Sequence, residues 1–196
     1  MAHVTPLVAR FRIRALGIVA RVAPARTPFM LTGQGSSVQL AHLIADRGAR
    51  SVLVVTDGVL VGLGVLAPIL DALKEAGLAV TVFSKVEPDP SVDIIMSGIE
   101  QLQRSQATAV LAVGGGSSID AAKAMIACYA GEQRPQDLNG YFKVRGPVLP
   151  FFAVPTTAGS GSEVTVASVV SDPGLGRKFA IVDNKLVPVA IALDPN

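Results

Sequence analysis

Residues 109–127 read "AVLAVGGGSSIDAAKAMIA". A solid apolar run passes through three glycines and two serines into small and apolar residues. That order reads as a buried strand, a tight turn and a helix. Glycines at such a turn let another group come close to the backbone. What approaches there is the question on which the function turns.

The same rhythm extends in both directions. A short strand over 29–31 meets the turn "TGQGSS", and a helix over 37–47 follows. "SVLVVT" (51–56) is apolar and β-branched throughout, as in a strand buried on both faces. A helix over 63–75, a strand over 79–83, and a helix from a Ser91 cap to 104 come next. The strand over 109–113 then feeds a helix to 129. Beyond a Pro- and Gly-rich crossing, "FFAV" (151–154) is a strand, and strand-like pieces follow over 164–171, 178–182 and 189–193. Strands alternating with helices predict an α/β fold, a Rossmann-like, mostly parallel sheet flanked by helices.

Composition agrees with a well-packed interior. The chain has 196 residues, of which 50% are hydrophobic and 16% charged, with no Trp. The single cysteine, Cys128, excludes an intrachain disulfide. The best apolar stretch, residues 58–70, is too short for a membrane span and is broken by Gly62, Gly64 and Pro68. A soluble, cytoplasmic protein is therefore expected. Residues 1–28 hold five arginines and no acid, whereas the rest carries 12 basic against 15 acidic side chains. A mildly acidic body argues against nucleic acid as its main partner.

The leader is an appendage with three open readings. Leu7, Phe11, Ala15, Ile18 and Val22 share one helical face, and Arg10, Arg14 and Arg21 lie on another. It reads as an amphipathic helix packing on the body or a partner subunit. The others are a membrane-surface helix over residues 5–23 and an organelle-targeting peptide.

Parallel sheets bind ligands beyond the carboxyl ends of their strands. There the chain places Asp57, then Gly114, Gly115, Gly116 and Ser117, then "PTTAGSGSE" with Thr156, Thr157, Ser160 and Ser162. The glycine turn opens a helix, and free amides at a helix start favour an anion such as a diphosphate. The plainer alternative is a tight turn closed by a Ser117–Asp120 capping box. Asp57 suits two ribose hydroxyls and repels a 2′-phosphate, or it simply opens a turn before Gly58. The turn is neither a P-loop nor the G-x-G-x-x-G fingerprint. The two histidines are His3, in the leader, and His42, on a face with Gln39 and Asp46. With no Cys or His pair at ligand spacing, no ordinary protein site for zinc or iron is expected. No Ser sits in a nucleophile elbow.

Five motifs in order, "VVTD" (54–57), "GGGSSIDAAK" (114–123), "PTTAGSGSEVT" (155–165), "RKF" (177–179) and "ALDP" (192–195), resemble the amino-terminal half of the iron-containing, or group III, alcohol dehydrogenases. That family shares its architecture with dehydroquinate synthase and glycerol dehydrogenase. The resemblance runs from Phe29 to Asn196 and implies an NAD(P)-binding domain over 29–196, in an NAD-dependent oxidoreductase acting on a small alcohol or aldehyde. It implies that Gly115, Gly116 and Ser117 cradle the diphosphate and that Asp57 takes the adenosine ribose of NAD rather than NADP. Asp120 would lie near the nicotinamide. Thr156, Thr157, Ser160 and Thr165 would line the cofactor, and Lys178 would stand beside its ribose. "EPDP" departs from the commoner Pro-Asn-Pro, so no cofactor contact is expected from Asp89.

Family members place their Fe or Zn ligands on a helical second domain, in a G-x-D-x-x-x-H motif and two later histidines. This sequence reaches Asn196 before any of them, and Asp194 belongs to the "DP" turn. The chain is therefore expected to be incomplete for catalysis and to belong to a homo-oligomer. A non-catalytic nucleotide-binding remnant and a dehydroquinate synthase-like lyase remain the alternatives.

Overall fold

The computed structural model describes residues 26–195, so the readings made on residues 5–23 and on His3 lie outside the described residues. Six strands form the main sheet: β1 (Phe29–Thr32), β2 (Ser51–Asp57), β3 (Ala79–Val86), β4 (Ala109–Gly114), β6 (Phe151–Pro155) and β9 (Ala190–Leu193). Their order is β1-β9-β6-β4-β2-β3, and every pairing is parallel. A second, three-stranded sheet pairs β7 (Ala167–Asp172) antiparallel with β8 (Arg177–Val182), and β8 with the short β5 (Gly140–Tyr141).

Both faces of the main sheet are buried, as the unbroken apolar runs require. Leu53, Val55, Val110, Ala112, Phe151 and Ala153 pack on one side, under α4 (Val92–Ser105) and α5 (Gly116–Gly131). Val52, Val54, Leu111, Val113, Phe152 and Val154 pack on the other, under α1 (Ser36–Asp46) and α3 (Ala67–Glu75). Successive side chains of a strand alternate between faces, so each apolar residue finds one of the two layers.

The expected elements are present, with shifted bounds. The helix expected over 63–75 begins only at Ala67, as α3, after a turn in which Gly64 adopts φ +70, and a short helix that the spacing did not predict, α2 (Gly58–Gly62), precedes that turn. Pro68 then sits in the first turn of α3, where its missing N–H costs nothing. β3 runs three residues past Phe83, and the strand expected from 164 begins at Ala167 after a 3₁₀ turn at Ser162–Val164. The Ser91 cap forms as expected, its hydroxyl accepting from the Ile94 N–H at 3.3 Å. His42 is exposed, as are Gln39 and Asp46. Among the described residues no helix is long and apolar enough to cross a membrane.

Phe152 is 1% exposed at the centre of the sheet, between neighbours that cannot all collapse inward. Phe152→Ala should cost about 3–5 kcal/mol. Urea denaturation checks this, and a loss below about 1 kcal/mol would mean that the packing around it is loose.

Candidate functional site

The parallel pairing places β2, β4 and β6 side by side, so their carboxyl ends share one edge. The chain leaves β2 for β3 on one side and returns from β3 to β4 on the other. The gap between the ends of β2 and β4 is therefore a topological switch point, where open parallel sheets leave a crevice. A cleft of about 950 Å³ lies there. Asp57 and Gly58 line it from β2, Ser84 to Pro88 from the end of β3, Gly115 to Ser118 from the glycine turn, and Thr156 and Thr157 from the loop after β6.

The turn itself is held by two devices. Gly114 adopts φ +150, a backbone region open to glycine, and its carbonyl accepts from the Thr156 N–H at 3.0 Å. Gly115 is extended, at φ −73 and ψ −173, and precedes a 16-residue helix that no side chain caps. The Ser117–Asp120 capping box is therefore not formed. The first residues of α5, at the positive end of its dipole, line the cleft, and the first turn of the helix carries no acidic residue.

Close approach to the glycines comes in part from the chain itself. A Cβ on Gly115 would stand 3.1 Å from Thr157 Oγ1, and one on Gly116 would stand 3.0 Å from Ser160 Cβ. The hydroxyl-rich loop lies directly against the turn, and the two form adjoining walls of the cleft.

Asp57 ends β2 and caps α2, its Oδ1 accepting from the Leu60 N–H at 2.9 Å. Asp57 thus opens the turn before Gly58 and stands in the cleft wall. Asp120 lies behind the cleft. Its Oδ2 accepts from the Val169 N–H at 3.1 Å, and its carbonyl accepts from the Ser168 hydroxyl at 2.7 Å. Burial raises its pKa from the ordinary carboxylate value, against the opposing pull of the Val169 N–H, the Lys123 charge and the Ser162 hydroxyl. Thr165 faces Lys123, with Oγ1 3.2 Å from Nζ. Lys178 lies outside the cleft wall and pairs with Asp89 at 2.6 Å, both side chains more than half exposed. An exposed pair of this kind contributes little to stability. Asp194 binds the start of α1, accepting from the Gly35 and Ser37 amides and from the Ser37 hydroxyl, the last at 2.6 Å.

The sequence reading missed two features of the site. The end of β3 forms a whole side of the cleft, because that strand extends to Val86. Lys123, the last residue of the motif "GGGSSIDAAK", is 0% exposed. Its signal lies in "AAKAMIAC", a lone charge flanked by apolar residues on every helical face. A second cavity of about 810 Å³ lies across Thr156 and Thr157, floored by Val113 and Val154 and flanked by Glu163 and Asp194.

Gly114→Ala places a methyl at φ +150 against Ser118, 2.5 Å from its Oγ, whereas Gly115→Ala leaves an ordinary backbone. Gly114→Ala should cost at least about 2 kcal/mol and Gly115→Ala less than about 1 kcal/mol. Thermal unfolding of the two variants side by side checks this, and equal losses would mean that the turn is not held as described.

The profile of the iron-containing alcohol dehydrogenases matches residues 27–195. The NAD-dependent methanol dehydrogenase of Bacillus methanolicus is 34% identical over 168 residues, covering 86% of this chain and 44% of that protein. Lactaldehyde reductase of Escherichia coli K12 is 35% identical, covering 83% and 43%. Among solved structures, a 1,3-propanediol oxidoreductase superposes with a TM-score of 0.83 at 30% identity, over 86% of this chain and 44% of that one. The sulfoacetaldehyde reductase of Bifidobacterium kashiwanohense, in complex with NAD+, gives 0.80 at 31%, over 87% and 45%. The chain thus spans less than half the length of these relatives. With the motifs, the parallel sheet and the cleft all in place, the chain belongs to the iron-containing alcohol dehydrogenase family.

Proposed function

We propose that residues 29–196 form the NAD-binding domain of an oxidoreductase that moves hydride between a small alcohol or aldehyde and nicotinamide. One observation carries this reading. The uncapped start of α5, the Asp57 carboxylate and the Thr156–Thr157 hydroxyls line a single cleft at the switch point of the parallel sheet.

The residues fit the cofactor. Glycines at 115 and 116 keep side chains out of the cleft wall, and the first amides of α5 supply donors and a positive dipole end for a diphosphate. Asp57 commits Oδ1 to the Leu60 N–H, leaving Oδ2 for a ribose hydroxyl. A 2′-phosphate there would meet a like charge, so NAD is favoured over NADP. Thr156 and Thr157 are exposed at the mouth, where their hydroxyls can orient the cofactor beyond its diphosphate. When bound, NAD supplies the hydride acceptor; the residues described here hold and orient it.

Iron, which the family name implies, does not fit the described residues. Among them, no group of three His, Cys, Asp or Glu side chains converges in a way that could hold a metal ion. What these residues contribute is the cofactor's half of the reaction.

Asp57→Asn keeps the oxygen that caps α2 and removes the charge. The variant should fold with stability within about 0.5 kcal/mol of wild type and lose about tenfold in NADH-over-NADPH preference. Fluorescence titration with both cofactors measures the ratio. An unchanged ratio in the folded variant would remove Asp57 from the site.

A further inference from the structure

Lys123 is among the most deeply buried side chains of the molecule, with no exposed surface. It sits in the middle of α5, flanked by Ala121, Ala122 and Ala124, all 0% exposed. Its Nζ crosses from the helix to the loop after β6 and donates to the carbonyls of Ser162 at 2.6 Å, Thr165 at 2.5 Å and Ala167 at 3.1 Å. The Thr165 hydroxyl stands at 3.2 Å. A buried ammonium is tolerated only when its donors are used, and three N–H groups meet three backbone carbonyls here.

Apart from this clamp, the loop is tied near its two ends, where the Thr156 N–H donates to the Gly114 carbonyl and the Asp183 N–H to the Val166 carbonyl, both at 3.0 Å. Residues 156–160 are exposed, and the sole regular structure between β6 and β7 is the three-residue turn at Ser162–Val164. This same loop brings Thr157 against Gly115 and Ser160 against Gly116. One turn earlier on α5, Asp120 grips the Val169 N–H and the Ser168 hydroxyl, so one helical face holds the start of β7 as well.

We propose that Lys123 is a positioning residue for the cofactor cleft: its side chain clamps residues 162–167 to α5, and the cleft wall at Thr156 and Thr157 keeps its place only while all three carbonyls are held. The proposal rests on the dinucleotide reading of the cleft for its functional consequence, although the clamp can be tested with no ligand present.

The chemistry of the clamp makes it sensitive to pH. A neutral amine has two donors and a lone pair, so it would release one carbonyl and turn the lone pair towards it. Burial lowers the Lys123 pKa to about 8, against the raising effect of Asp120 on its own helix and Glu163 in the loop, the two charges that reach it. The linkage sign is distinctive. Between about pH 8 and the ordinary lysine value of 10.5 the unfolded chain binds more protons than the native one, so this group's contribution to global stability rises with pH. The clamp loosens over that same window. Cofactor affinity and global stability should therefore move in opposite directions, which a merely structural lysine would not produce.

The test compares the full chain as wild type, Lys123→Arg and Lys123→Met. Hydrogen exchange without ligand, corrected for intrinsic rates, should be about tenfold faster at amides 162–167 in Lys123→Met, with β4 and β6 still protected. NADH titrated from about pH 7 to about pH 9.5 should bind wild type progressively more weakly above pH 8. Lys123→Met should be about tenfold weaker at pH 7 and flat with pH, and Lys123→Arg should fall between the two, keeping a charge of different shape. Loop protection and NADH affinity equal to wild type in folded Lys123→Met would overturn the proposal, as would a wild-type pH slope that persists in that variant. Should Lys123→Met fail to fold, the wild type alone decides, since constant loop exchange and constant affinity across the range would equally overturn it. If wild type binds no NADH at any pH, the cofactor reading fails, and exchange at 162–167 still judges the clamp.

Discussion

Three parallel strands lying side by side, β2, β4 and β6, determine where everything else in this molecule can be. Their pairing is in register, with Val54 beside Leu111 and Leu111 beside Phe152. All three chains therefore emerge from the sheet along the same edge. Because both faces are covered by helices, that edge is where backbone groups meet solvent without a packed layer above them. An aspartate, an uncapped helix start and a hydroxyl-rich loop are brought together there from positions about 100 residues apart.

The glycine turn answers to two neighbours at once. Its backbone must swing from strand to helix within two residues, which Gly114 allows. It must also leave room for the loop carrying Thr157 and Ser160, which Gly115 and Gly116 allow. An open cleft in front and a packed loop beside it follow from the same lack of side chains. Lys123 closes this arrangement from behind, exchanging the hydration of its ammonium for three backbone carbonyls. A site of this kind is built mostly from backbone, which fits the task of holding a phosphate without sequence-specific side chains.

Much of this was legible in the residues. Apolar runs such as "SVLVVT" and "AVLAV" name their strands because burial on both faces forbids polar alternation, and Ser91 names a helix start because its hydroxyl satisfies an amide. The carboxyl-edge rule then led to Asp57, the glycines and Thr156–Thr157, which the structure brings to one cleft. Other features depend on distant partners and left no local mark. The extension of β3 to Val86 follows its pairing with the end of β2. The return of β9 to the main sheet, between β1 and β6, is a long-range choice that no short window records. Lys178 meets Asp89 across two elements, at an aspartate held in the left-handed region at φ +58. The start of α3 at Ala67 was readable in principle, since Gly64 and Pro68 flank it, but the apolar spacing runs through both.

The central claim is that the cleft between β2 and β4 holds a dinucleotide by its backbone. Hydrogen exchange of the full chain, read peptide by peptide with and without NADH, addresses that claim most directly. Protection should appear at amides 57–60, 84–87 and 115–118 and leave the far end of the sheet, around residues 106–109 and 149–151, unchanged. Saturating NADH with no protection at 115–118, or with protection confined to another face, would contradict it.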